Sequence, residues 1–310
     1  MSNTATRILV AVIAIPGIIL LAWLGGYAWM LFVAAVFVGS AVEFAALARA
    51  KGARVQLGTA IVFGLAFITV FANERLHRDL ALLTGGALPM PMVWHAFIWL
   101  ALVFVLVTLV VELFRNKGSA LLNVATTFML VLYLGLCLGA AVGVREIFTV
   151  AEFPVGPVFG TTTLSAAQFA QLDAWGGATV VALLASIWIC DSAAYFGGRA
   201  MGRHALFVRV SPKKTWEGAV WGLVGAIATM LAARALGLSF LSVTDAVVLG
   251  TAVGTVGQIG DLAESLLKRD AGIKDSSTLL PGHGGVFDRF DSLIFTAPVF
   301  FLYLDFFVFA

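Results

Sequence analysis

The chain has 310 residues, 61% of them hydrophobic and 12% charged, with a mean hydropathy of +1.02. A soluble domain of that length has too little interior to hide so much apolar surface, so lipid must be the solvent for much of the chain. The net charge of +2 says little about partners; no nucleic-acid partner is expected, and the distribution of charge is the more informative property.

A bilayer-spanning helix needs roughly 17–25 mostly apolar residues. In chain order, nine stretches qualify: about 8–24, 27–48, 57–72, 92–114, 119–143, 177–196, 217–236, 243–267 and 292–310. The first lacks a small-residue cleavage site and runs almost directly into the second, so it reads as a retained membrane helix rather than a signal peptide. The third is short. The eighth is apolar to Val256, then polar through Gln258, Asp261 and Glu264, a change of character that suits a wet cavity better than lipid. Cys137 and Cys190 both lie in apolar runs with no metal-type spacing, so neither a disulfide nor a zinc framework is expected. The fold expected is an all-α polytopic membrane protein of about nine helices. Residues 1–145 form an N-terminal set for lipid access or dimer contact, 146–176 an external loop, and 177–310 a C-terminal catalytic region.

Nine crossings place the termini on opposite sides. With the N-terminus cytoplasmic, 15 of the 19 basic residues fall on inner segments, and only Arg75, Arg78, Arg145 and Arg234 fall outside, as the positive-inside rule requires. The stretch 265–292 is then the last cytoplasmic loop, facing the compartment of soluble nucleotides.

Five carboxylates sit inside the apolar runs: Glu43, Glu112, Asp191, Asp261 and Glu264. Each costs about 2.5–3.5 kcal/mol at a helix centre and much less near an end. Glu43 and Glu112 read equally well as interfacial groups paired with nearby bases or as functional ones, whereas Asp191 and Asp261 read as functional. Glu264 has Lys268 four residues on for a partner, while Asp261 has no such neighbour and shares a helical face with Ser265. Upstream, GTAVGTVGQIG (250–260) reads as small-residue helix packing, since no βαβ context makes it a dinucleotide fingerprint.

In SPKKTWEG (211–218), Ser211 can cap a helix that starts at Pro212. Lys213 and Lys214 would then crowd its positive end, either around a bound phosphate or as plain membrane-side anchors. In 265–292, Lys268, Arg269, Lys274 and Arg289 offer charge for phosphates, and Asp275, Asp288 and Asp291 offer hard oxygen ligands for magnesium. His283-Gly284-Gly285 suits a turn with close backbone approach to a ligand. The mixture points to a metal–polyphosphate site; there is no P-loop pattern and no HExxH.

These residues resemble the signature of the phosphatidate cytidylyltransferases, or CDP-diacylglycerol synthases. Ser265, Lys268-Arg269, Lys274-Asp275, Pro281, His283-Gly284-Gly285, Asp288-Arg289 and Asp291 all stand at that family's spacing. CDSAAYFGGRAMGRH and SPKKTWEG are similar to it too, and the Glu43-Phe44 region more loosely. The resemblance implies transfer of CMP from CTP to phosphatidate, giving CDP-diacylglycerol and pyrophosphate, with Mg2+ and room for a second cation. It also implies a homodimer in a bacterial inner membrane, with the site on the cytoplasmic face. On that reading Asp261 and Asp288 hold the metal, and Ser265 and Lys274 complete the catalytic group. Lys213, Lys214, Lys268, Arg269, His283, Gly284, Gly285 and Arg289 bind substrate phosphates, and Asp191 completes the polar cavity. Two rivals are a secondary transporter of an anionic metabolite, which predicts midplane charges and an internal repeat that is not visible here, and another CTP-dependent membrane lipid enzyme, which does not share this signature.

Overall fold

The structure, a computed structural model, describes residues 3–86, 93–149, 159, 164–277, 279 and 284–309. Among those residues, ten helices and one small hairpin have defined bounds, in the order α1 (Asn3–Leu24), α2 (Gly26–Ala50), α3 (Leu57–Val70), α4 (Asn73–Thr84), α5 (Val93–Arg115), α6 (Ala120–Glu146), α7 (Ala166–Met201), β1 (Ala205–Phe207), β2 (Ser211–Thr215), α8 (Trp216–Leu236), α9 (Val243–Asp270) and α10 (Phe287–Val308). The protein is therefore an all-α polytopic membrane protein apart from the hairpin.

Nine crossings are expected from the sequence, and helix length and apolar composition support fewer among the described residues. Among the described residues, seven helices are long and apolar enough to cross a bilayer. The segment 57–72 falls short because α3 has only 14 residues and breaks at Phe71, where α4 leaves at 83°; the bent pair counted as one span gives eight. In α1 (Asn3–Leu24) the apolar stretch counted among the described residues is Val10–Leu24. The stretch 146–176 is not all loop either: a capping box between Ser165 and Gln168 starts α7 at Ala166, and residues 150–158 and 160–163 lie outside the described set.

Apolar residues face two ways, as expected when lipid is the solvent. Trp29, Phe37, Leu130, Leu134 and Leu138 are fully buried between α2, α3 and α6, while Trp99, Leu102, Leu106 and Leu113 of α5 are exposed. Helices meet through small residues, because tight van der Waals packing drives association in lipid. A Cβ on Gly254 would stand 2.7 Å from Leu223 Cα, and one on Gly250 would stand 2.6 Å from Ile227 Cα. The glycines of GTAVGTVGQIG thus seat α9 against α8. A π-helical turn, Val253–Gly257, interrupts α9 just before Gln258 and Asp261. Glu112 takes the structural reading: buried at the end of α5, it accepts from Gln56 Nε2 (2.8 Å), Asn123 Nδ2 (2.6 Å) and Arg115 (3.0 Å). It ties α5 and α6 to the turn after α2.

Candidate active site

The polar groups gather where the C-terminal part of α9, the N-terminal part of α10, the hairpin and the late part of α2 come together. SPKK is not the start of a helix. Ser211–Thr215 pairs antiparallel with Ala205–Phe207, and Thr215, not Ser211, caps α8 by accepting from the Gly218 N–H at 3.2 Å. Successive side chains of a strand point to opposite sides. Lys213 is accordingly exposed, whereas Lys214 turns inward and donates to Asp261.

Asp261 also accepts from Ser265 Oγ at 3.4 Å, one turn along α9. Two further carboxylates are within electrostatic range of it, Asp191 of α7 and Asp291 of α10, and Lys214 and Arg289 act on Asp191 in turn. Three acidic groups and two cations thus lie within electrostatic range of one another, with Lys214 and Asp261 half-buried.

Asp288 stands in a different setting. Its Oδ1 accepts from Lys268 Nζ at 2.8 Å and the Ser276 N–H at 3.2 Å; its Oδ2 accepts from the Ser276 N–H at 3.0 Å and the Gly285 N–H at 2.9 Å. Lys268 bridges it to Glu264 at 2.7 Å. Each carboxylate oxygen has about two acceptor directions, so Asp288 is close to saturated by the protein itself. The structure brings Lys214, Ser265 and Asp261 together, and separately Lys268, Glu264 and Asp288, with no direct contact between Asp261 and Asp288.

Beside Asp288 lies a group whose role the sequence did not reveal. Glu43 is buried, and its two oxygens take four donors: Ser276 Oγ (2.7 Å), Ser277 Oγ (2.5 Å), the Val286 N–H (3.0 Å) and the Phe287 N–H (2.8 Å). It caps α10, whose first N–H groups would otherwise lack partners, and a negative group suits that end of a helix. The available signal was the absence of any basic residue three or four positions from Glu43, which forces a buried carboxylate to find distant donors.

The Gly pair serves this closure. Gly284 has φ +82°, and a Cβ there would lie 2.6 Å from Asp288 Oδ2. A Cβ on Gly285 would lie 1.9 Å from Ser276 Oγ and 2.4 Å from Glu43 Oε2. The close approach made possible by these glycines is to the protein's own carboxylates. Arg269 donates to the carbonyls of Val210 (3.4 Å) and Ile273 (3.3 Å), holding the hairpin to α9. Lys274, Asp275 and Arg289 are exposed around the recess, and Pro281 and His283 lie outside the described residues.

Among the described residues, no group of three or more His, Cys, Asp or Glu side chains is set to hold a metal ion by itself. Magnesium commonly takes only one or two carboxylates and completes its shell with water and substrate phosphates. Asp261, with Asp291 and Asp191 in range and a local excess of negative charge, fits that kind of ion. Asp288 fits it only if Lys268 or a loop amide lets go.

A model of the cytidylyltransferase family matches residues 5–307. The chain belongs to that family. Phosphatidate cytidylyltransferases of Brucella suis and of Synechocystis are each 32% identical to it, over 98% and 94% of this chain and 94% of each relative. The chloroplastic phosphatidate cytidylyltransferase 5 of Arabidopsis thaliana is 47% identical over 124 residues, 39% of this chain and 31% of its own. This cytidylyltransferase is therefore a membrane-embedded nucleotidyltransferase. Lys214 with Asp261, Asp191 and Asp291 offers what such a transfer needs, namely fixed charges within range of one another rather than an acid–base pair.

Proposed function

We propose that the protein transfers CMP from CTP to phosphatidate, releasing pyrophosphate and forming CDP-diacylglycerol. The observation that carries this reading is the Lys214–Asp261 pair with Asp191 and Asp291 around it, at the mouth formed by α7, α9, α10 and the hairpin. A phosphate oxygen of the lipid attacks the α-phosphorus of CTP, the new P–O bond forms, and the bond to the β-phosphate breaks. That nucleophile is ionised near neutral pH, so positioning and charge stabilisation are the main demands.

Lys214 binds phosphate oxygens on the inner side of the recess; Arg289, Lys213, Lys274 and Arg269 extend the positive rim. Asp261, with Ser265 beside it, holds a magnesium ion, which when bound neutralises triphosphate charge. Asp291 supplies a further oxygen and Asp191 keeps the hollow polar. Asp288, with Lys268 on it, holds the Ser276 and Gly285 amides in place. The site faces the cytoplasm of a bacterial cell with the N-terminus on the same side, a reading supported by the bias of Lys and Arg toward the segments on that side, and the enzyme acts as a homodimer.

The test is the purified full-length protein with radiolabelled CTP, phosphatidate and magnesium. A labelled lipid-soluble product is expected, along with stoichiometric pyrophosphate. Uptake of an anion into vesicles without such a product would replace this reading with a transporter.

A further inference from the structure

A second polar hollow lies at the other end of the bundle. On α2, Glu43 holds the active-site loop, while Gly26, 17 residues earlier and about 25 Å away at 1.5 Å per residue, packs against the Arg75 guanidinium, 3.2 Å from where its Cβ would be. Beside Arg75 is a cavity of about 240 Å³, lined by Asn73, Glu74, Trp94, Phe97, Glu146 and Asp305 among others. None of these residues belongs to the site described above.

Three features define what it would hold. The first is a free acceptor. Glu146 is 6% exposed; its Oε2 accepts from Arg75 Nε at 2.9 Å, but Oε1 has no partner. An unpaired buried carboxylate oxygen is costly and calls for a donor. Asn73 Nδ2 is a donor with no partner on the same wall. The second is charge: among the described lining residues Glu74, Glu146 and Asp305 outnumber the one cation, Arg75, and Glu74 accepts only the Thr149 hydroxyl (2.7 Å) among the described contacts. The third is aromatic surface, from Phe71, Trp94, Phe97 and Phe301, which suits an organic cation. An ammonium, with three donors for the unpaired oxygen and an affinity for aromatic faces, is the positive group that suits both features.

The location says where that ammonium comes from. Helix α4 leaves α3 at 83°, has no buried residue, and exposes Leu80, Leu82 and Leu83 beside Glu74, Arg75, Arg78 and Asp79. A short amphipathic helix of this kind lies in the plane of the membrane surface. The cavity opens at its first turn, at headgroup depth, and Trp94 is half exposed there, as tryptophan is at such boundaries. We propose that this cavity binds the primary ammonium of an aminophospholipid in the leaflet opposite the catalytic site, with Glu146 Oε1 and Asp305 as acceptors and Asn73 Nδ2 on the lipid phosphate.

The test uses the full-length protein in detergent with equal amounts of dioleoyl phosphatidylethanolamine, phosphatidylcholine and phosphatidylglycerol, scored by native mass spectrometry for retained lipid. Phosphatidylethanolamine is expected to be retained about tenfold over the other two, the scale of one charge-assisted hydrogen bond. The preference should fall to near parity in Asp305→Asn and in Glu146→Gln. Because Glu146→Gln also loosens Arg75, Asp305→Asn carries the test on its own, with an unchanged thermal midpoint as the check on its fold. Equal retention of phosphatidylcholine, preference for phosphatidylglycerol, displacement of phosphatidylethanolamine by magnesium, or an unaltered preference in Asp305→Asn would each overturn the assignment. CTP incorporation by Asp305→Asn is expected at the wild-type level, which separates this outcome from any failure of the catalytic reading.

Discussion

Two groups of carboxylates meet near the start of α10, and their surroundings differ sharply. Glu43 and Asp288 are filled by donors of the protein itself: serine hydroxyls, loop amides, the first N–H groups of α10 and Lys268. Asp261 has one lysine and a long contact to Ser265, with two further acids in range rather than further donors. The first arrangement ties Ser276, Ser277 and Gly285 to the start of α10 and leaves nothing over for a ligand. The second is incomplete as it stands, and its unmet negative charge is the property a cation and a triphosphate would satisfy. Counting donors, rather than counting acids, tells the fold-holding carboxylates from the substrate-facing ones.

That contrast is tested most severely by Asp261→Asn. It keeps the shape and removes the charge, so activity should fall by about 10²–10³-fold or more, while the thermal midpoint in detergent stays near the wild-type value. A large loss of stability instead would move Asp261 into the first group. Glu43→Ala should do the reverse. It leaves four donors without an acceptor, two of them buried, at a cost of roughly 3 kcal/mol or more, seen as a lowered unfolding midpoint with activity lost in step. A stable but inactive Glu43→Ala protein would show that Glu43 serves the chemistry. Gly285→Ala sharpens the same point without touching a charge. Its Cβ would collide with Ser276 and Glu43, a strain of about 1–3 kcal/mol that thermal unfolding would register, and Gly284→Ala should add the penalty of a positive φ. The smallest effect is expected for Lys274→Ala on the exposed rim: a rise of a few fold in KM for CTP, since a solvated charge contributes about 1 kcal/mol or less, with kcat nearly unchanged and the difference shrinking at high salt.

Much of the bundle was legible because hydropathy is a direct readout of lipid exposure. The glycine spacing in 250–260 announced close packing for the same reason, as only small residues let helices touch. The elbow between α3 and α4 was not legible: an apolar stretch of 14 residues followed by an amphipathic one of 12 resembles one short span until the 83° bend is seen. In SPKKTWEG the Ser-Pro pair imitates a helix start, while the true cap, Thr215, stands four residues later behind a strand whose partner is the segment before it. Adjacent lysines look equivalent on paper, and only the alternation of a strand separates them. The signature loop marked the right region, but it could not say that Asp288 is engaged by its own backbone, nor that Glu43 reaches Phe287 across 244 positions. Those contacts depend on long-range geometry that no local spacing encodes.

Helix α7 runs for 36 residues, about 54 Å at 1.5 Å per residue, against a hydrocarbon core of about 30 Å. It carries Asp191 within it and leads straight into the hairpin that bears Lys214. A helix longer than its membrane adjusts to a thinner or thicker one by changing tilt. The hairpin continues from the end of that helix, so a change in its tilt would carry Lys214 with it relative to Asp261 and Asp291 on the other helices.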